Sequence, residues 1–193
     1  MMLDLFDFQT DAKNYLLDKT TDPNAKRKII VKSPTGSGKT IILLSYIYDY
    51  LLWQDPNKVF IWLTPGKGDL EEQSKDKMDE FIPHAKSANI HDALLQGFKG
   101  GYTYFINWEM ITNKKNNALK DSEKKNLFER IAEAHREQLS FITIIDEEHL
   151  NNTSKADDIL YALNSDREIR VSATTVKNPM AEFYEIPEEE VIN

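Results

Sequence analysis

Residues 28–53 read KIIVKSPTGSGKTIILLSYIYDYLLW, and this stretch decides the fold. The apolar run at 28–32 predicts a buried strand, and the apolar stretch at 40–53 predicts a helix. Between them stands SPTGSGKT, in which Gly36 and Gly38 let the backbone curl until successive N–H groups point at one anion. A strand, a glycine loop and a helix in this order predict a phosphate-binding loop.

The side chains of this loop suit a nucleoside triphosphate. Lys39 can reach the β- and γ-phosphates, the Thr40 hydroxyl can ligate Mg²⁺, and the positive end of the helix dipole begins there. The usual G-x-x-x-x-G-K-[ST] pattern has glycine where this chain has Ser33, a small residue that leaves the mechanism intact. The expected binding residues are Thr35, Gly36, Ser37, Gly38, Lys39 and Thr40.

The rest of the chain alternates short apolar runs with amphipathic stretches, which is typical of a parallel sheet covered by helices. Nearly continuous apolar character predicts buried strands, at 58–64, 102–107, 141–146 and 168–173. Further helices are expected at 8–19 and 68–81. The sequence therefore predicts an α/β fold with a mostly parallel central sheet and helices on both faces.

The segment DEEH at 146–149 follows the apolar strand FITII. Two adjacent acids at the end of a buried strand are costly unless they serve an ion or a reaction. We expect Asp146 to hold Mg²⁺ through its water shell and Glu147 to polarise an attacking water. The segment SATT at 172–175 ends the next apolar strand, and taken alone it indicates only a turn.

The composition indicates one folded domain, with 193 residues, 40% of them apolar, and no cysteine. The lack of cysteine removes disulfides and thiolate-bound metals and fits a reducing cytoplasm. No stretch approaches the ~20 apolar residues that a membrane span needs. The net charge of −8 argues against a protein that coats nucleic acid through bulk positive charge. Screening over ~8 Å still permits one nucleic-acid-binding face.

The stretch at 112–138 is highly charged, with Leu127, Phe128 and Ile131 as its apolar stripe. A solvated surface helix is the favoured interpretation. The alternative is phosphate contact through Lys114, Lys115, Lys124 and Lys125.

In this order and spacing, SPTGSGKT, LTP at 63–65, DEEH and SAT resemble the first RecA-like lobe of a superfamily 2 helicase of the DExH kind. The resemblance runs from about Leu5 to Val176. It implies a RecA-like P-loop domain that binds ATP with Mg²⁺ and hydrolyses it with nucleic acid bound. It also implies that the SAT strand lies between the P-loop strand and the DEEH strand. The catalytic residues would be Lys39 and Glu147.

The resemblance also implies residues around the adenine and along the coupling path. An upstream glutamine contacts adenine in this family, and Gln9 lies at that place, with Phe6 or Phe8 beside it to stack on the base. Helix packing is the alternative for both rings. The residues expected to couple the ATP site to the nucleic-acid track are His149, Ser172 and Thr174.

A narrower resemblance rests on WLTPGKGDLEEQS, FINWE and IIDEEHLNNTSKADDI, which look like the helicase lobe of the restriction (Res) subunit of type III restriction-modification enzymes. It implies duplex DNA, bound weakly through one face, and a DNA-methyltransferase specificity subunit as partners. The implied DNA contacts are Thr64, Pro65, Gly66, Gln73 and Asn107. Trp108 is interpreted as a core residue, with base stacking as the alternative.

The chain departs from the family pattern at two motif positions, where Glu148 replaces the usual Ala or Pro and Thr175 replaces the commoner Pro. Nothing in the sequence resembles the second RecA-like lobe, its arginine finger or an endonuclease domain. We expect residues 1–178 to form the ATP-binding lobe. Residues 179–193 are expected to begin an acidic linker toward the absent second lobe.

Two other functions stay open at this point. One is the lobe of an RNA-directed or repair helicase of the same superfamily. The other is a nucleotide-gated interaction module with little hydrolysis, which Glu147 disfavours because pure binding needs no water-polarising acid. The histidines outside the motifs, His84, His91 and His135, are expected at the surface, without a third ligand to form a metal site.

Overall fold

The computed structural model describes residues 4–65, 70–112, 119–146 and 153–192. Within these ranges the strands are β1 (Lys28–Lys32), β2 (Val59–Thr64), β3 (Ser87–Asn89), β4 (Thr103–Asn107), β5 (Phe141–Asp146), β6 (Arg167–Ser172) and β7 (Glu182–Glu185). The helices are α1 (Asp7–Thr21), α2 (Lys39–Trp53), α3 (Leu70–Phe81), α4 (Ile90–Gln96), α5 (Trp108–Thr112), α6 (Asp121–Arg136), α7 (Thr153–Leu163) and α8 (Glu188–Ile192).

The seven strands form one sheet in the order β3-β4-β2-β5-β6-β1-β7, and every pairing is parallel. The five predicted strands lie within one residue of their predicted bounds. Strands β2, β4 and β5 are buried at every residue, as central strands covered on both faces must be. The strand β6, which carries SAT, lies between β1 and β5. The predicted α/β class and strand order are therefore confirmed.

Alternation along the strands divides the apolar side chains between two cores. In β2, Ile61 and Leu63 face the core formed with α4, α6 and α7. Phe60 and Trp62 face the opposite core, which contains the inward sides of α1 and α2. Helix α2 therefore packs on the sheet face that Trp62 occupies. Its first turn lies at the carboxyl ends of the strands because the glycine loop before it follows directly on β1.

The acidic tail contributes an edge strand to the sheet. We expected residues 179–193 to begin a linker, but Glu182–Glu185 pairs in parallel with β1 in the register Ile29↔Glu182. The Tyr184 ring packs against Tyr15 of α1, with ring centroids 4.7 Å apart. An edge strand leaves its outer side in water, so glutamates can flank the two aromatic residues there. That the tail leads toward a second lobe stays a prediction.

The charged stretch after β4 contains helix α6, whose Leu127 and Ile131 are buried while Phe128 is 37% exposed. The predicted surface helix with a narrow apolar stripe is thus confirmed. Trp108 is buried in the α4/α6/α7 core, which confirms its interpretation as a core residue. Lys125 is exposed and Lys124 is half-buried, whereas Lys114 and Lys115 lie outside the described residues.

Neither a membrane-spanning helix nor a metal-binding cluster is found among the described residues. None of the helices described has both the length and the apolar character needed to cross a bilayer. Within the same ranges, no three or more histidine, aspartate or glutamate side chains are grouped to hold a metal ion. The histidines His84, His91 and His135 are exposed, as predicted.

Candidate nucleotide-binding site

The sequence motifs converge on one edge of the sheet, where the parallel strands end. SPTGSGKT follows β1, and LTP spans the last two residues of β2 and the residue after it, while Asp146 ends β5 and Ser172 ends β6. Strand registers bring these ends together, since Lys32 pairs with Ser172 and Asp146 pairs with Val171. Ligands of open parallel sheets bind at this edge, so the fold places the predicted residues where a site can form.

The glycine loop has the backbone conformation that its sequence predicts. Gly36 and Gly38 have φ angles of +85° and +78°, which L-residues with a side chain rarely adopt. Gly38 precedes Lys39 as the cap residue of α2, and its carbonyl accepts the Ile42 N–H at 3.0 Å. The loop therefore opens directly into the first turn of a 15-residue helix, where unpaired N–H groups and the dipole favour an anion.

The structure shows why serine can replace glycine at position 33 of the phosphate loop. Its φ angle is not positive, so this position does not require glycine. Its hydroxyl bonds to the hydroxyl of Ser37, and both residues are buried. The Ser33 N–H donates to the Ser172 carbonyl at 2.9 Å. The serine thus ties the start of the loop both to its own centre and to the SAT strand.

The ion pair between Lys39 and Asp146 joins the two predicted catalytic motifs. The Lys39 ammonium lies 2.7 Å from Asp146 Oδ1, with the side chains only 17% and 9% exposed. The second carboxylate oxygen, Oδ2, accepts the indole N–H of Trp62 at 3.2 Å. Sequence reasoning missed Trp62. Its position two residues before Thr64, on the same face of β2, was the available signal.

Gln9 contacts the glycine loop directly. Its Nε2 donates to the Ser37 carbonyl at 2.9 Å, and its Oε1 accepts the Phe6 N–H at 2.9 Å. A Cβ atom at Gly38 would collide with Nε2, so a side chain at this position would displace the Gln9 amide. Phe6 is 70% exposed and stacks on Phe8. Gln9 therefore braces the loop, a role that sequence reasoning did not foresee, and its contact with adenine stays a prediction.

Comparison with known families identifies the chain. The family model described as type III restriction enzyme, res subunit, matches residues 2–177. The chain belongs to this family. It is a RecA-like lobe of the superfamily 2 helicase kind, as the motif order predicted. A search of curated proteins found no match.

Solved structures agree on the fold. The SWI2/SNF2 ATPase core of Sulfolobus solfataricus, in complex with double-stranded DNA, matches with a TM-score of 0.65 at 14% identity, over 93% of this chain and 34% of that chain. The DUF1998 helicase MrfA bound to DNA matches with a TM-score of 0.58 at 19% identity, over 96% and 28%. Its complex with DNA and AMPPNP gives a TM-score of 0.58 at 18% identity, over 95% and 27%. This chain therefore spans between about a quarter and a third of the length of these proteins.

Of the residues predicted to couple the ATP site to nucleic acid, Ser172 lies beside the glycine loop. Ser172 is buried, and its Oγ accepts the Thr174 N–H at 3.2 Å. Because the Ser172 carbonyl also accepts the Ser33 N–H, a backbone hydrogen bond joins the SAT segment to the glycine loop. Thr174 itself is exposed. His149 lies outside the described residues, as does the catalytic candidate Glu147.

The predicted DNA contacts of the Res-family lobe are only partly gathered at one place. Thr64 and Asn107 are paired at the ends of β2 and β4, and both are buried. Asn107 Nδ2 donates to Glu71 Oε2 at 3.3 Å, and its Oδ1 accepts the Glu109 N–H at 2.9 Å. Gln73 is exposed on α3, and Pro65 is half-buried. Gly66 lies outside the described residues.

Proposed function

We propose that this chain is the ATP-binding and ATP-hydrolysing motor lobe of a DNA-dependent helicase or translocase, from the Res subunit of a type III restriction enzyme. One observation carries the proposal. Lys39 of the glycine loop and Asp146 of the DEEH segment are far apart in the sequence, yet their charged atoms lie 2.7 Å apart at the start of α2. A purely structural ion pair has no need of left-handed glycines and a helix N-terminus beside it.

The chemistry of the loop suits the triphosphate of ATP. Lys39 would shift from Asp146 toward the β- and γ-phosphates, where one cation meets several anionic oxygens. The backbone around Gly36 and Gly38 would cradle the phosphates, and Thr35 and Ser37 complete the loop. Attack of water on the γ-phosphorus breaks its bond to the bridging oxygen and yields ADP and inorganic phosphate.

The residues beside the loop fit Mg²⁺. The Thr40 hydroxyl in the first turn of α2 and the Asp146 carboxylate are hard oxygen donors, which this ion prefers. When bound, Mg²⁺ supplies positive charge to the β- and γ-phosphate oxygens. Glu147 follows Asp146 directly in the sequence, and we assign it the polarisation of the attacking water. These roles make Lys39 and Glu147 the catalytic pair.

Duplex DNA would bind along the same carboxyl edge. The contacts would come from Thr64, Pro65, Gly66, Gln73 and Asn107. Support comes from the two proteins with the same fold whose solved structures hold DNA, the SWI2/SNF2 core and MrfA. Binding would be weak, because one lobe neutralises few phosphates. Ser172, Thr174 and His149 would transmit the state of the ATP site to this track.

The arginine that stabilises the transferring phosphoryl group would come from a second lobe. Four of the five arginines are held by carbonyls or carboxylates away from the glycine loop. Arg27 donates to the Ser165 carbonyl, Arg130 to the carbonyls of Leu94 and Leu95, Arg167 to those of Lys19 and Asp22, and Arg170 to Glu168. Arg136 is exposed at the end of α6.

A DNA-methyltransferase subunit would read the recognition sequence.

Equilibrium binding of Mg²⁺·ATP and Mg²⁺·GTP to the chain, measured by isothermal titration calorimetry, tests the proposal. We expect one weak-to-moderate site with higher affinity for ATP. No binding of either nucleotide would overturn the assignment of the loop. Binding in the chain without any hydrolysis in a longer parent protein would favour the nucleotide-gated module instead.

A further inference from the structure

Trp62 is the fully buried aromatic residue whose one polar atom touches the candidate site. Its side chain has no exposed surface, and a buried indole N–H normally requires an acceptor. The acceptor is Asp146 Oδ2, at 3.2 Å. A phenylalanine would fill this core position without any polar partner, so the indole nitrogen has a purpose beyond packing.

The contact follows from the sheet geometry. Trp62 pairs with Ile144 across the parallel strands β2 and β5. Asp146 lies two residues further along β5, so its side chain points to the same face as Ile144 and is a diagonal neighbour of Trp62. The ring packs against Phe105 of β4, with centroids 5.1 Å apart. Packing on a rigid strand therefore fixes the direction of the N–H bond.

The Asp146 carboxylate is held between one mobile donor and one fixed donor. Oδ1 faces the ammonium of Lys39, which ends a long, flexible side chain. Oδ2 faces the indole of Trp62 in the core. If Lys39 moves to a phosphate, only the indole donor keeps its place. Because the indole is neutral, it orients the carboxylate without cancelling the negative charge that attracts a cation.

We propose that Trp62 is a positioning residue that orients Asp146 for Mg²⁺. This inference rests on the proposed function of Asp146 as the carboxylate of the Mg²⁺ site. Loss of a hydrogen bond that orients a metal ligand typically costs about 10–100-fold in metal affinity. Removing the indole N–H should therefore weaken the Mg²⁺-dependent part of nucleotide binding by roughly tenfold or more, and leave the Mg²⁺-independent part intact.

The test compares Trp62→Phe with a matched control, Trp108→Phe. Trp108 is also buried but belongs to the core on the other face of the sheet. Binding of a fluorescent ATP analogue is measured with Mg²⁺ and with EDTA, and the ratio of the two affinities is the readout. We expect the ratio to fall by roughly tenfold or more in Trp62→Phe and to stay unchanged in Trp108→Phe. An unchanged ratio in Trp62→Phe, in a folded protein, would overturn the inference.

A second variant keeps the test decisive if Trp62→Phe does not fold. Replacing Trp62 by 3-benzothienylalanine keeps the ring shape and exchanges the N–H for sulfur. The same fall in the Mg²⁺ ratio is expected, and a wild-type ratio would contradict the inference. The unaltered chain separates the two possible failures. If the proposed function is wrong, the unaltered chain itself binds nucleotide no better with Mg²⁺ than with EDTA. If only the role of Trp62 is wrong, the unaltered chain keeps its dependence on Mg²⁺ and the variants keep it too.

Nuclear magnetic resonance gives a readout that does not depend on nucleotide. The three tryptophans give three indole N–H cross-peaks, which Trp53→Phe and Trp108→Phe assign by elimination. Asp146→Ala should shift the Trp62 peak more than the other two, because that N–H loses its acceptor. A Trp62 peak that does not move would show that the hydrogen bond is absent in solution.

Discussion

Two lysine–aspartate ion pairs lie at opposite edges of the same sheet. At the carboxyl edge, Lys39 meets Asp146 at 2.7 Å. At the amino edge, Lys58 meets Asp166 at 2.6 Å, and its ammonium also donates to Ser140 Oγ at 2.6 Å. Judged by distance and by burial of the lysine, the two pairs are alike, since Lys58 is only 6% exposed and Lys39 17%.

The exposure of the aspartate and the backbone around each pair differ, since Asp166 is 53% exposed and Asp146 only 9%. Lys39 begins helix α2 next to a glycine loop, at the positive end of the helix dipole. Lys58 follows the other end of the same helix, which terminates at Trp53, and its ammonium lies 5.9 Å from the ring centre of Tyr50. A cation suits that negative end. The direction of α2, rather than the ion pair, therefore decides which edge can receive an anion.

The largest expected effect separates the two lysines. Lys39→Ala should reduce Mg²⁺·ATP affinity by at least about 100-fold, which corresponds to about 3 kcal/mol. Lys58→Ala should leave affinity within about twofold and lower the free energy of unfolding by about 2 kcal/mol, since charged hydrogen bonds are lost. Calorimetric titration and urea unfolding measure both. Normal binding by Lys39→Ala, or equal loss in both variants, would break the comparison.

The two aspartates should differ in their dependence on Mg²⁺. Asp146→Asn should lower nucleotide affinity about tenfold in Mg²⁺ and little in EDTA, because one ligand oxygen loses its charge. Asp166→Asn should change nucleotide affinity neither in Mg²⁺ nor in EDTA.

In a longer parent protein, Glu147→Gln should keep nucleotide binding and reduce turnover, because it removes the anionic oxygen that aligns the water. If Asp146→Asn and Glu147→Gln were indistinguishable, their assigned roles would be wrong.

A smaller effect on nucleotide binding is expected at Gln9, which lies in α1 and contacts the glycine loop at the carboxyl edge. Gln9→Ala should lower the preference for ATP over GTP by about fivefold, the value of one hydrogen bond. Gln54→Ala, at the other end of α2, is the control and should keep the preference. The ratio of the two dissociation constants is the readout. A variant that loses ATP and GTP affinity equally would assign Gln9 to bracing the loop alone.

The stability of the fold at alkaline pH should depend on neither ion pair. Burial raises the pKa of the Tyr46 phenol, whose hydroxyl donates to Thr20 Oγ1 at 2.9 Å. Burial also raises the pKa values of Tyr15 and Tyr104 to about 12. Above pH 10 the folded state keeps tyrosine protons that the unfolded chain releases. The free energy of unfolding therefore keeps its full value below pH 10 and falls as pH rises above it. Tyr46 alone should lower it by about 1.4 kcal/mol for each pH unit.

Urea unfolding at pH 8, 10 and 11 checks this behaviour. Tyr46→Phe should make the decline above pH 10 less steep, because Tyr15 and Tyr104 still contribute, and Lys58→Ala should keep the full decline. A decline that is unchanged in Tyr46→Phe and vanishes in Lys58→Ala would move the alkaline sensitivity to the amino-edge ion pair.

Much of the sheet could be predicted from the sequence, because buried parallel strands are continuous apolar runs. The short strand β3 and the edge strand β7 carry no such run. Glu182–Glu185 has two aromatic residues flanked by glutamates, and its first three residues are only half-buried, so its composition resembles a linker. Its place in the sheet depends on β1 and Tyr15, which are distant in sequence.

The site divides in the same way. The loop and Asp146 could be predicted because each motif is contiguous and needs particular residue types. The brace from Gln9 and the indole of Trp62 could not, because each depends on a contact between distant elements. The sequence shows Ser33 only as a departure from the pattern. Its hydrogen bonds to Ser37 and Ser172 become visible only in the folded loop.

The central claim is that the carboxyl edge binds ATP but lacks the arginine that completes catalysis. Phosphate release by the purified chain, with and without saturating duplex DNA, tests this claim most directly. We predict turnover far below ~1 s⁻¹ in both conditions, since an arginine from outside is worth roughly 10³–10⁵ in rate. Turnover of ~1 s⁻¹ or faster would mean that the lobe supplies its own arginine and would contradict the account.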